Sequence, residues 1–67
     1  MSVAKVTEII ASSPTSFEDA VNRGIERANK TLKGIKGAWI EGQKVVVKDG
    51  SIVEYRVDMR VTFVLKG

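Results

Sequence analysis

The sequence predicts an α+β fold of β-α-β-β order, in which a three-stranded antiparallel sheet packs on one helix. Three observations predict it: a β-branched stretch near the N-terminus, one amphipathic segment with a capping signal, and two strand-like runs joined by an Asp-Gly turn. The 67 residues leave room for one domain, expected over residues 1–67. The chain contains no Cys and no His, which excludes disulfides and thiolate or imidazole metal sites.

The first strand and the helix have clear local signals. The strand is expected over residues 3–11, before a Ser-Ser-Pro-Thr break. The helix is expected over residues 17–33, with Ser16 as N-cap and Asp19 in a capping-box position. Its apolar stripe at 3.6-residue spacing comprises Phe17, Ala20, Val21, Gly24, Ile25, Ala28 and Leu32. The helix therefore has one face for a sheet and one for water.

Asp49-Gly50 predicts a tight hairpin, because both residues tolerate the positive φ of such turns. The strand after it, expected over residues 52–66, alternates strictly. Its core face would carry Val53, Tyr55, Val57, Met59, Val61, Phe63 and Leu65, and its other face Glu54, Arg56, Asp58, Arg60 and Thr62.

The element lengths predict self-association. A strand over residues 52–66 spans roughly 50 Å at ~3.4 Å per residue, whereas the helix spans only about 25 Å at ~1.5 Å per residue. Val61, Phe63 and Leu65 would then lie partly bare in a monomer. Exposed apolar strands pair with other chains, so we expect an oligomer.

A two-residue turn pairs Lys48 with Ser51 and predicts the register of the hairpin. The expected core-side pairs are Val46–Val53, Ile40–Met59 and Ala38–Val61, and the outer pairs are Gln43–Arg56, Glu41–Asp58 and Trp39–Arg60. Two features strain this register. Lys44 falls on the core face opposite Tyr55, and the carboxylates of Glu41 and Asp58 oppose each other. A bulge at Gly42 would relieve either strain.

The polar face of the predicted hairpin groups residues suited to a flat heteroaromatic ligand. The candidate binding residues are Trp39, Gln43, Arg56, Asp58 and Arg60. Trp39 would stack on the ligand, and Arg56 with Gln43 would contact the ring edge or a phosphate. The same face also fits a contact between subunits, with Trp39 and Arg60 as a cation–π pair.

Several function classes are not expected. The chain has no His, no Cys and no Gly-rich phosphate loop, and its paired carboxylates Glu41 and Asp58 are not expected to lie in a pocket of one subunit, which indicates a protein that is not an enzyme. The net charge is +3, but the charges are interspersed, so we expect no nucleic-acid partner. No segment has the length of a membrane span or the pattern of a signal peptide, which predicts no membrane partner and a cytoplasmic protein.

Three segments together resemble the dodecins: KVTEIIASSPTSF at residues 5–17, ANKTL at residues 28–32 and YRVDMRVTF at residues 55–63. The β-α-β-β order and the position of the turn also agree. The resemblance implies a hollow homododecamer, with helices outside and a sheet partly wrapped around each helix. It further implies a non-catalytic flavin buffer or storage shell.

Flavin-binding dodecins stack the isoalloxazine ring on a Trp of the second strand, between subunits, and a Gln of the third strand hydrogen-bonds the ring edge. Here Gly37 stands at the Trp position and Arg56 at the Gln position, while Trp39 lies two residues further along, about 7 Å away on the same face. The resemblance implies FMN, riboflavin or FAD as the small-molecule ligand. The alternative is a structural or ion-binding shell that holds calcium or a small anion and has lost flavin binding.

Overall fold

A computed structural model describes residues 3–65. The elements are β1 (Val3–Ser13), α1 (Phe17–Thr31), β2 (Ile35–Lys48) and β3 (Ser51–Leu65). The strands form one antiparallel sheet in the order β1-β3-β2, so β3 is central. The predicted β-α-β-β fold is confirmed. The end of the predicted third strand, at residue 66, lies outside the described residues.

The start of α1 is held by its cap. Ser16 has extended backbone, and its Oγ accepts a hydrogen bond from the Asp19 N–H at 3.0 Å. The Asp19 carboxylate does not turn back to the cap; it accepts from the buried Ser13 Oγ at 2.5 Å and pairs with Arg23 at 2.7 Å. The hydrogen bond between Ser13 and Asp19 thereby connects the end of β1 to the first turn of α1. It ends at Thr31, two residues before the expected position, because the next residue already has extended backbone.

The core lies between α1 and the central strand. Ala20 and Gly24 are the buried residues of the helix, and Val57, Met59, Val61 and Phe63 are the buried residues of β3. The approach of helix to sheet is close at Gly24. A Cβ there would lie 2.6 Å from Met59 Cε and 2.9 Å from Ala11 Cβ. The predicted apolar stripe of the helix is therefore confirmed as its sheet-facing side.

The bare apolar surface lies elsewhere than predicted. Val61 is fully buried and Phe63 is 9% exposed, and Ile35, the strand partner of Phe63, packs on the core. Only Leu65, at 47%, is partly bare as expected. The helix packs on β1 and β3, which leaves the same side of β2 uncovered. Large apolar residues exposed on β2 and around the turn are Ile40, Val45, Val47, Ile52 and Val53.

The length mismatch between helix and hairpin is confirmed. The chain measures 52 × 19 × 13 Å, whereas the 15 residues of α1 extend only roughly 22 Å. Pairing of β1 with β3 stops at Ser13 opposite Tyr55. The hairpin beyond that point, residues 46–54, is a two-stranded extension that we call the hairpin arm. Its turn has the predicted positive φ at Asp49 (51°) and Gly50 (78°).

The β2–β3 register matches the prediction next to the turn and again from Gly37 to Ile40, and it differs by one residue between these two parts; a further bulge at Lys36 shifts the pairing of Ile35. Confirmed pairs are Lys48–Ser51, Ile40–Met59, Trp39–Arg60 and Ala38–Val61. The predicted pairs Val46–Val53, Gln43–Arg56 and Glu41–Asp58 are wrong; Val46 pairs with Glu54, Gln43 with Val57 and Gly42 with Asp58. Two bulges cause the shift, since Glu41 is an extra residue on β2 and Val53 an extra residue on β3.

The shifted register removes both strains of the predicted one. Lys44 lies opposite Arg56, on the side of the sheet away from α1, and Val45 takes the place opposite Tyr55. A glycine, Gly42, now opposes Asp58 in place of a second carboxylate. The bulge that would relieve these strains lies at Glu41, one residue before the position considered at Gly42, and it brings a lysine to the polar face.

Candidate functional site

The face of the sheet turned away from α1, here called the open face, carries the polar residues. Opposite residues of an antiparallel pair share a face, so the register defines three rows across the sheet. Row one is Glu8–Arg60–Trp39, row two is Ile10–Asp58–Gly42, and row three is Ser12–Arg56–Lys44. Adjacent rows lie about 7 Å apart, twice the ~3.4 Å rise per residue of a strand.

Row one presents the indole of Trp39. Trp39 is the only Trp of the chain, and 61% of it is exposed. Arg60, its partner across the strands, places Nη1 3.5 Å from Glu41 Oε1, the carboxylate of the bulge. The guanidinium is thus engaged by a carboxylate, and the indole stays available for stacking.

Glycines leave open space on both sides of this indole along β2. Gly37 and Gly42 are the described neighbours of Trp39 on the open face, one in each direction. A Cβ added at either glycine would meet no atom within 4 Å. Since no side chain rises from either position, a planar molecule has room to lie beside Trp39.

Row two contains a carboxylate with an unmet hydrogen bond. Asp58 Oδ1 is buried and has no hydrogen-bond partner. Its neighbours across the sheet, Ile10 and Gly42, have no side-chain donors. A buried acceptor without a donor costs on the order of 1–3 kcal/mol, so this atom marks a place where an N–H or O–H from elsewhere would stabilise the protein.

Row three carries two cations side by side. Arg56 Nε donates to Glu54 Oε2 at 2.8 Å. That hydrogen bond is the largest cause that lowers the pKa of Glu54, and a hydrogen bond with Ser12 and the charges of Arg56 and Lys44 act in the same direction. Lys44 itself forms no ion pair within residues 3–65.

A cavity of about 330 Å³ lies between rows two and three. Its walls are Ile10, Gly42, Gln43, Lys44, Arg56, Val57 and Asp58. The structure thus brings Arg56 and Asp58 together on one cavity, with Trp39 and Arg60 in the next row. Gln43 contributes to the wall, but it lies opposite Val57 and does not face Arg56 as predicted.

Lys44 is the cavity residue that sequence reasoning missed. Strict alternation from the turn assigned it to the core face, and its charge on that face was the one signal against the assignment. The two bulges decide its position, since they shift only the segment between them.

The acidic side chains determine whether the chain can hold a metal ion. Calcium takes six to eight oxygen ligands, most often from several carboxylates. Within residues 3–65, no three acidic side chains lie close enough together to hold an ion. In the same part of the chain, no helix is long and apolar enough to cross a membrane.

The three-stranded antiparallel sheet with one helix on one face defines a small β-α-β-β module. The family model of the dodecins matches residues 3–66. The chain belongs to the dodecin family.

Relatives and solved structures agree with this assignment. The calcium dodecin of Mycobacterium tuberculosis is 35% identical over 66 residues, which cover 98% of this chain and 93% of the relative. Its crystal structure, described as having a novel calcium-binding site, aligns with a TM-score of 0.83 over 96% of this chain and 91% of that one. The dodecin of Streptomyces davaonensis, 30% identical, aligns with a TM-score of 0.95 over 98% of this chain and 97% of that one.

Proposed function

We propose that this protein is a non-catalytic binding and sequestration protein of the cytoplasm that assembles into a homododecamer and holds a flat, anionic cofactor between its subunits. FMN is the first candidate, with riboflavin and FAD as related ligands. The observation that carries the proposal is the exposed Trp39 beside a cavity with two cations, Lys44 and Arg56. A chain without Cys is compatible with the reducing cytoplasm.

The uncovered apolar surface supports assembly. The helix leaves one side of β2 bare, and the hairpin arm extends past the helix with Val47 57% and Ile52 51% exposed. Soluble proteins seldom expose contiguous surface of this kind unless a partner covers it. We expect this partner to be a second copy of the chain, because the dodecin family is named for its assembly. The number of twelve subunits rests on the family resemblance.

The open face supports a planar ligand. A ring stacked on Trp39 would lie over positions without side chains, and Lys44 and Arg56 would contact an anionic group one or two rows away. The cavity of about 330 Å³ is at the lower end of small-molecule sites, which run from ~300 to ~1,000 Å³. A site completed by the open face of a second subunit would enclose a whole cofactor.

The test is a flavin fluorescence titration of the size-defined oligomer with riboflavin, FMN and FAD. We expect the protein to quench flavin emission, and Trp39→Phe to weaken the quenching because a smaller ring stacks less. Lys44→Gln should weaken FMN binding more than riboflavin binding, since riboflavin carries no phosphate. Tyr55→Phe is the matched control, because this aromatic residue packs against Phe17 on the opposite side of the sheet. Absence of quenching with all three flavins would refute flavin binding.

Calcium is the second candidate ligand, and two observations favour it. A relative 35% identical to this chain is named calcium dodecin, and Asp58 has an oxygen without a partner. Calcium held between copies would raise the melting temperature of the oligomer, and a chelator would lower it. Asp58→Asn should remove the difference. A melting temperature that does not respond to calcium or chelator would contradict this candidate.

A further inference from the structure

We infer that Glu41 is a positioning residue of the proposed site: its carboxylate holds the Arg60 guanidinium away from Trp39 and so keeps the indole free for the ring of a ligand. These three residues lie in or beside the first row of the open face, and their arrangement carries the inference. The inference rests on the proposed function, because it assigns a role to a residue beside the same site.

Arg60 is placed where it could cover the indole. It is the partner of Trp39 across β2 and β3, and opposite residues of an antiparallel pair have Cβ atoms about 4.5–5.5 Å apart on one face of the sheet. An arginine this close is attracted to the face of a tryptophan, and at an exposed position the attraction favours the stacked arrangement about two- to fivefold. Without a competing partner, Arg60 would therefore occupy the surface on which a ligand ring stacks.

The guanidinium turns to a carboxylate instead. Arg60 Nη1 lies 3.5 Å from Glu41 Oε1, and Trp39 remains 61% exposed. Across residues 3–65, no cation stacks on an aromatic ring. Glu8, which is opposite Arg60 on β1, forms no ion pair within the same residues. Glu41 therefore holds Arg60 in this orientation.

The bulge in β2 is what brings Glu41 to the arginine. Glu41 is the extra residue between Ile40 and Gly42 and has no partner of its own on β3. In an unbroken ladder it would lie opposite Asp58, whose carboxylate would repel it. The bulge gives that position to Gly42 and leaves the Glu41 carboxylate within reach of the first row. One irregularity thus supplies both an open position beside the indole and the group that keeps the indole uncovered.

The ion pair is expected to orient Arg60 without adding much to the stability of the fold. The side chains of Arg60 and Glu41 are 51% and 43% exposed, and ion pairs this exposed contribute little to stability. Loss of the carboxylate should therefore change access to the indole and leave the melting temperature of the oligomer as it is. A purely structural role would show the opposite result.

The first measurement is made without a ligand. Acrylamide quenching of Trp39 emission reports access to the indole, because the chain has one Trp. We expect Glu41→Gln to lower the quenching constant about 1.5-fold, since the released Arg60 covers one side of the ring, and the double variant Glu41→Gln/Arg60→Gln to restore it. Glu41→Asp should act as Glu41→Gln does, because it keeps the charge but is one methylene shorter. Glu8→Gln is the matched control and should change nothing.

The second measurement is the Kd of riboflavin for the same proteins. Riboflavin is the probe because it carries no phosphate, so the loss of a nearby negative charge does not itself strengthen binding. Glu41→Gln should weaken binding about three- to sixfold, since the ligand must first displace the stacked Arg60, and the double variant should bind within about twofold of the wild type. Light scattering checks the oligomer size of each variant. If Glu41→Gln changes that size, Glu41→Asp provides the same comparison.

The outcomes separate this inference from the proposed function. Unchanged quenching in Glu41→Gln, or weaker riboflavin binding that the double variant does not restore, would overturn the inference while flavin binding stands. Melting temperatures lowered in both single variants of Glu41 would also overturn it, because the ion pair would then stabilise the fold. If riboflavin does not bind to the wild type, the proposed function fails, and the quenching measurement still decides whether Glu41 holds Arg60 away from Trp39.

Discussion

Gly24 lies where α1 comes closest to the sheet, and Gly24→Ala is expected to destabilise the fold. In an exposed helix interior this change stabilises by ~1 kcal/mol, because alanine has the higher helix propensity. Here the new Cβ would lie 2.6 Å from Met59 Cε and 2.9 Å from Ala11 Cβ. The Met59 methyl can move aside, but the Ala11 Cβ is fixed to the backbone of β1. Overpacking of this kind costs about 1–3 kcal/mol, so the net loss should be about 1 kcal/mol.

Urea unfolding followed by circular dichroism measures the change, at one fixed chain concentration because the stability of an oligomer depends on it. Asn22→Ala, on the exposed side of the same helix, is the control and should stabilise by about 0.5 kcal/mol. Ala11→Gly combined with Gly24→Ala should recover at least ~0.5 kcal/mol in a double-mutant cycle. A Gly24→Ala protein more stable than the wild type would refute the argument from close approach.

Three further changes test other parts of the fold. Ser13→Ala removes a buried hydroxyl that binds Asp19 and should destabilise by ~1–3 kcal/mol in urea unfolding; an unchanged midpoint would contradict this. Glu54 should titrate below its ordinary pKa of 4.5, so its stabilising contribution is present above the unfolded-state value and lost as the pH falls through the folded one. Carboxyl NMR should show that Arg56→Gln raises the pKa of Glu54. An unchanged pKa would show that the hydrogen bond from Arg56 is not what lowers it. Gly50→Ala places a Cβ at φ 78° and should cost on the order of 1 kcal/mol in melting experiments; an equally stable variant would argue against the turn geometry.

The secondary structure was predictable because each element carries a local signal. The Ser16 cap fixes the first turn of the helix, and Asp49-Gly50 fixes the hairpin. The alternation of β3 identifies its buried residues correctly from Val57 to Phe63. All of these signals act between residues close in sequence, so a single chain displays them.

The middle of the hairpin was not predictable, because its two bulges compensate. Glu41 adds one residue to β2 and Val53 adds one to β3, so the register is the same on either side of the pair of bulges. Counting residues from the turn therefore gives the correct partner for Trp39. It gives the wrong partners for Gln43 and Lys44, which lie between the two bulges. The strained position of Lys44 was evidence for a bulge, but it did not locate either one.

The position of the exposed apolar surface could not be predicted from the sequence either. Strand and helix lengths predict how much of the sheet stays uncovered, but they do not fix where along the sheet the helix lies. The helix packs on β1 and β3, and the uncovered part falls on β2 and the hairpin arm. That choice follows from tertiary packing of Ile35 on the core, which no local pattern encodes.

The irregular course of β2 also bears on aggregation. This strand forms one edge of the sheet, and its residues 45–47 are three valines in a row, a composition that promotes amyloid-like pairing. Lys44 and Lys48 bracket the valines with charge, and the bulge at Glu41 twists the edge that leads to them. A newly made chain that has not yet met its partners therefore offers foreign strands an irregular, charge-flanked edge at β2.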